Sequence, residues 1–184
     1  MRVIGGYLKG KKILFPKSKK TRPLRDFVKE SMFNSIVHSN KINIKIKNAK
    51  ILDLYSGIGS FGIECLSREA KRVTFVENDQ EAISILSTNL KTLDIEEKIY
   101  LIPKKIEFFL NDNNEKFDII FLDPPFAENN FIEELKLIKA REIYNKNHLI
   151  IIHRESKTKE SFEGILKVLF EKKYGRSKII FSTF

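Results

Sequence analysis

Three carboxylates share one placement in this sequence. Asp53, Glu77 and Asp123 each fall at or near the end of a short apolar run, the runs being 51–55, 73–76 and 117–122. Asp123 opens the string Asp123-Pro124-Pro125-Phe126. Two consecutive prolines fix φ and carry no N–H, so a strand cannot run through them. What remains is a rigid, donor-poor corner with one carboxylate, exposed carbonyls and the Phe126 ring. Such a corner accepts hydrogen bonds from an NH2 group and stacks a flat ring. The first run leads into Tyr55-Ser56-Gly57-Ile58-Gly59-Ser60-Phe61-Gly62. Gly57 and Gly59 allow a tight turn and close approach of a ligand to the backbone, and Gly62 lets a following helix pack close to a strand. The string matches the G-x-G-x-x-G of dinucleotide sites. Asp53, four residues before Gly57, would repel a pyrophosphate and suits a cationic ligand or one bearing an amino group. Glu77 is placed to accept hydrogen bonds from the cis-diol of a ribose.

These groups work together only if their elements bring them to one crevice. From residue 50 the chain alternates between strand and helix patterns, predicting strands at 51–55, 73–76, 98–102, 117–122 and 148–153. Helices are predicted to run from the glycine turn through Arg68 and over 79–93, 106–110 and 131–139. Repeated β-α-β units imply a parallel sheet with right-handed crossovers. Two further strands, 162–170 and 177–182, joined at Lys173-Tyr174-Gly175, would close one edge as an antiparallel hairpin. Ligands bind beyond the carboxyl ends of strands in such sheets, where all three carboxylates fall. Ahead of this unit, residues 1–15 read as a small β-hairpin turning at Lys9-Gly10-Lys11, and 16–25 as a basic loop. Phe27, Val28, Met32 and Ile36 recur at helical spacing over about 26–38. The domain division expected is 1–45 and 46–184.

The net charge of the 184-residue chain is +10. Residues 1–50 carry +12 and residues 51–184 carry −2. An excess confined to the first quarter is the footprint of a polyanion-binding surface. Arg2, Lys9, Lys11, Lys12, Lys19, Lys20, Arg22 and Arg25 are its candidate contacts. No apolar run approaches the roughly 20 residues of a membrane helix, and the N-terminus lacks the apolar stretch of a signal peptide. The lone Cys65 can form no internal disulfide, reads as a core residue and fits a cytoplasmic protein. His38, His148 and His153 show no pairing that suggests a triad or a metal site and read as structural or surface residues.

The order LDLYSGIGSFGIECLSREA, VTFVEND, FDIIFLDPPF resembles the class I S-adenosylmethionine-dependent methyltransferases that act on amino groups. The N-terminal Arg2-Val3-Ile4-Gly5-Gly6, Thr21-Arg22-Pro23 and Val28-Lys29-Glu30-Ser31-Met32-Phe33-Asn34 resemble the RsmD family. The resemblance implies a Rossmann-like, mostly parallel seven-stranded sheet with helices on both faces. It also implies methylation of guanine N2 in 16S rRNA, at the site numbered 966, during small-subunit maturation. S-adenosylmethionine would be held by Asp53, Tyr55, Ser56, Gly57, Gly59, Glu77, Asn78, Ile106 and Asp123. Asp123, Pro124, Pro125 and Phe126 would form the catalytic corner. The expected partner is 16S rRNA, including 16S rRNA within a small-subunit assembly particle, with no membrane, no metal and a monomeric enzyme. The sequence departs from the family at Lys104-Lys105-Ile106, where an acidic residue is usual, at Leu24 for Thr, and at Phe126 for Tyr. An adenine-N6 methyltransferase on RNA or DNA and an inactive RNA-binding scaffold are the competing readings.

Overall fold

The computed structural model describes residues 1–16, 26–125 and 130–184, so Lys19, Lys20, Arg22, Arg25 and Phe126 lie outside the described residues. The strands are β1 (Lys50–Leu54), β2 (Arg72–Val76), β3 (Ile99–Ile102), β4 (Phe117–Leu122), β5 (Tyr144–Glu155), β6 (Lys167–Tyr174) and β7 (Ser177–Thr183). They form one sheet in the order β3-β2-β1-β4-β5-β7-β6. The first five in that order pair in parallel, and β7 runs antiparallel between β5 and β6. The strand order reverses between β1 and β4, which opens a crevice at their carboxyl ends.

The helices are α1 (Asp26–His38), α2 (Ser60–Ser67), α3 (Gln80–Thr92), α4 (Ile106–Asp112) and α5 (Phe131–Ala140). Alternation along the strands divides the core. Ile51, Phe75, Phe121 and Ile151 face α1, α2 and α3, while Leu52, Val76, Leu122 and Ile152 face α4 and α5. Gly62 makes the α2 contact possible, because a Cβ there would lie 2.3 Å from the Phe75 ring. Phe33 of α1, Phe61 of α2 and Phe121 of β4 stack in series, with centroids 5.4 and 4.1 Å apart. The first helix thus shares a core with the sheet.

The N-terminal segment pairs more sparsely than a hairpin. One antiparallel bridge joins Arg2 to Lys12. Between them Gly6, at φ +74°, turns the chain against the end of α2, where a Cβ would overlap the Ser67 carbonyl. Tyr7 N–H donates to that carbonyl at 2.9 Å, and Ser67 Oγ donates to Gly5 O at 2.5 Å. A buried charge network completes the attachment. Lys29 Nζ donates to Arg2 O at 2.8 Å and lies 3.6 Å from Glu64, which also accepts from Ile4 N–H and pairs with Arg68. Burial lowers the Lys29 pKa, and Glu64 opposes that shift.

Two strands start well away from expectation. β5 begins at Tyr144 rather than His148, because Asn145 donates to Asp118 of β4 and so continues the pairing through polar residues. β6 begins at Lys167 rather than Phe162, because Gly164 (φ +71°) turns the chain and Ile165 and Leu166 N–H both bond to Phe162 O. No described helix is long and apolar enough to cross a membrane.

Candidate active site

The glycine turn sits where β1 meets α2, and three left-handed residues shape it. Tyr55, Gly57 and Gly59 have φ of 58°, 52° and 82°. Gly59 is the N-cap of α2 and, being glycine, offers no side-chain cap. Asp53 substitutes for one from inside β1: its Oδ2 accepts from Gly62 N–H at 2.9 Å. A carboxylate is favourable at a helix N-terminus. Asp53 Oδ1 is buried without a hydrogen-bond partner among the described residues. Burial raises the Asp53 pKa well above the ordinary range; the Gly62 N–H opposes this, and the nearby Asp123 and Glu77 add to it. This orphaned acceptor is an electrostatic demand that an ammonium group or proton donor would meet.

Glu77 closes the turn from β2. Its Oε2 accepts from Gly57 N–H at 2.7 Å, and its Oε1 from Asn78 and Asp79 N–H at 2.8 and 2.9 Å. The residue expected to meet a ligand thus also holds the loop that would embrace it. Beyond these strand ends lies a cleft of about 620 Å³, lined by Tyr55, Glu77, Asn78, Lys105, Ile106 and Leu137 among others. That volume suits a ligand of nucleoside size. Tyr55 Oη reaches across to Glu134 Oε2 at 2.7 Å. Lys104 and Lys105 line the cleft, and Ile106 supplies an apolar wall. Tyr55, Glu77, Asn78 and Ile106 meet at this cleft; Ser56 is buried behind it, its N–H bonded to Val76 O at 3.2 Å.

Asp123 follows β4 on the neighbouring strand and faces the same side of the sheet as Asp53. Its Oδ1 lies 2.8 Å from His153 Nδ1. Pro124 is buried and Pro125 exposed. Pro125 O accepts from Arg154 Nη1 at 3.1 Å. Reading the residues alone missed His153 and Arg154. Their usable signal was position, since both close β5 at the carboxyl end of the sheet. His148 is structural as expected: Nδ1 meets Asn145 O and Nε2 accepts from Phe184 N–H, each at 2.9 Å.

The basic N-terminal residues follow the length of α2. Met1 Sδ contacts Ser60 Oγ at the start of α2, Ile4 meets Glu64 midway, and Tyr7 meets Ser67 at the far end. Arg2, Lys9, Lys11 and Lys12 are exposed. The Arg2–Lys12 bridge lies toward the glycine turn, whereas Lys9 lies toward the opposite rim.

This strand order, glycine turn and acidic crevice define a class I, Rossmann-like methyltransferase fold. The chain belongs to the family described as "conserved hypothetical protein 95", the RsmD family, whose model matches residues 1–183. It is 34% identical over 158 residues to "ribosomal RNA small subunit methyltransferase D" of Haemophilus influenzae, covering 84% of this chain and 79% of that one. The protein of the same name from Escherichia coli is 31% identical over 155 residues, covering 84% and 75%. Among solved structures, an Escherichia coli chain described as a proposed methyltransferase, yhhF, superposes with a TM-score of 0.84 at 27% identity, covering 99% and 96%.

Proposed function

We propose that this protein methylates the exocyclic N2 of a guanine in 16S rRNA, at the site numbered 966, using S-adenosylmethionine, during small-subunit maturation. The observation that carries the reading is Asp123. It stands at the strand-order reversal with Oδ1 engaged by His153, while Oδ2 accepts no hydrogen bond from the described residues. A cleft suited to an adenosine lies beyond the ends of β1 and β2, walled by Glu77 and Ile106. The relatives named as small-subunit rRNA methyltransferases support the substrate class.

Glu77 and Asn78 would hold the ribose, Ile106 the adenine, and Asp53 with Tyr55, Ser56, Gly57 and Gly59 the amino-acid end of the cofactor. Asp53 Oδ1 is the buried acceptor that fits the cofactor's ammonium group. When bound, the cofactor supplies an electrophilic methyl group. The chain's task is to present the amine. A guanine amino group is a weak nucleophile because its lone pair is delocalised into the ring. Asp123 Oδ2 and the Pro124 carbonyl would accept its two N–H groups, orient the lone pair, and leave Oδ2 in place to take the proton the nitrogen sheds. Phe126 would stack on the base, a contact worth roughly 1–3 kcal/mol. Alignment and preorganised charge would supply most of the acceleration. The base must be unpaired or turned out to reach this corner.

Residues 1–45 would serve as an RNA-contacting extension to a cofactor-binding part, 46–184. Lys19, Lys20, Arg22 and Arg25 would join Arg2, Lys9, Lys11 and Lys12 on the backbone of the RNA. The enzyme would act as a cytoplasmic monomer on 16S rRNA within an assembling subunit. Asp123→Ala should abolish methyl transfer while calorimetry shows S-adenosylmethionine still bound. Full activity in that variant would refute the role given to Asp123.

A further inference from the structure

A corner made of Asp-Pro-Pro is hard to fasten. After the Asp123 N–H, which reaches Leu54 O at 3.4 Å, neither proline offers a donor. Beyond the packing of buried Pro124, hydrogen bonds can hold the Asp-Pro-Pro segment only through the Asp123 side chain and the carbonyls. Two consecutive residues of β5 grip both. Because neighbours on a strand point to opposite faces, His153 emerges on the α1–α3 side and Arg154 on the α4–α5 side. His153 Nδ1 meets Asp123 Oδ1 at 2.8 Å. An ionised carboxylate only accepts hydrogen bonds, so Nδ1 carries the proton in that state. Arg154 Nη1 donates to Pro125 O at 3.1 Å.

Arg154 is itself fixed. It is 1% exposed, and its guanidinium lies 4.6 Å from the Phe131 ring centroid. It pairs across the strands with Lys178 of β7. Two like charges directly opposite are unfavourable, and Glu160 lies between them. Glu160 Oε1 accepts from Arg154 Nε, and its Oε2 from Lys178 Nζ, each at 2.8 Å.

We propose that His153 is a positioning residue for methyl transfer: its Nδ1–H fixes the Asp123 carboxylate so that Oδ2 faces the substrate amine, while Arg154 braces the other end of the corner. This rests on the catalytic role proposed for Asp123. It goes beyond that role by assigning the orientation of the carboxylate to β5.

The test is a pair of substitutions. His153→Leu removes the donor at similar volume. His153→Asn restores an N–H near the position of Nδ1. Activity is tritium transferred from S-adenosylmethionine to small subunits from a strain deleted for this protein, whatever base receives it. His153→Leu should lower kcat on the order of tenfold to a hundredfold. Its KM values, and its cofactor affinity by calorimetry, should stay within about twofold of wild type. His153→Asn should recover most of the lost kcat. The proposal is overturned if His153→Leu keeps wild-type kcat, if both variants lose equally, or if cofactor affinity falls in step with kcat. A wild type that transfers no methyl to those subunits removes the proposed function and this proposal together. An active wild type with an unaffected His153→Leu variant removes only this one.

Discussion

Gly57 and Gly59 share the left-handed region for different reasons, and the difference separates folding from binding. A Cβ on Gly59 would lie 2.4 Å from Leu86 Cδ1 and 3.3 Å from the Phe75 ring. A Cβ on Gly57 would meet no atom of the described residues within 4 Å. Both substitutions cost roughly 1–2 kcal/mol for the backbone, and Gly59→Ala adds overpacking of about 1–3 kcal/mol. Thermal melts should therefore show the larger loss for Gly59→Ala, and calorimetry should show weakened cofactor binding in a folded Gly57→Ala. Equal melting temperatures would contradict the packing account. At this scale the sequence was legible wherever residue type alone carries the chemistry. Asp53, Glu77 and Asp123 could be picked out because carboxylates closing apolar runs are conspicuous. Glu77's hold on Gly57 and His153's hold on Asp123 could not, because they depend on pairing across strands.

Among the elements, β5 both departs from its expected form and reaches the site. Its apolar centre was readable, but its start depends on Asn145 reaching Asp118, and its end on charges that become partners only once β7 is in place. α1 and β4 matched their expected limits because their burial follows local periodicity. The β5–β7 charge cluster has a measurable signature. Burial would raise the Glu160 pKa, but hydrogen bonds from Lys178, Thr158 and Arg154 outweigh it and bring the pKa to about 2. A depressed folded-state pKa means that this carboxylate's stabilisation is fully present above the ordinary value of 4.5 and is lost as the pH falls through about 2. Glu160→Gln leaves two buried cations facing each other and should cost about 3–5 kcal/mol near neutral pH. Chemical denaturation at a series of pH values should show the variant lacking the acid-side fall in stability of the wild type. Parallel curves would contradict the assignment.

Over the whole molecule, charge and topology meet along one side. The sheet places its acidic strand ends at the order reversal, and the N-terminal segment runs along α2 toward the same end. The positive block was legible from composition; its attachment was not, because it depends on Lys29 and Glu64 meeting in a shared core. The path along α2 predicts unequal contributions to RNA binding. Neutralising Arg2 and Lys12 should flatten the salt dependence by roughly one unit of slope per lost phosphate contact, while Lys9→Ala should change it less. Filter binding across a salt series reads this directly, and a larger effect from Lys9 would place the RNA on the opposite rim. The central claim is that Asp123 presents a guanine amine. The most direct measurement is nucleoside analysis of rRNA from a deletion strain after the purified protein has methylated it with labelled S-adenosylmethionine. The account predicts label in N2-methylguanosine of the small-subunit RNA, and label in N6-methyladenosine would contradict it.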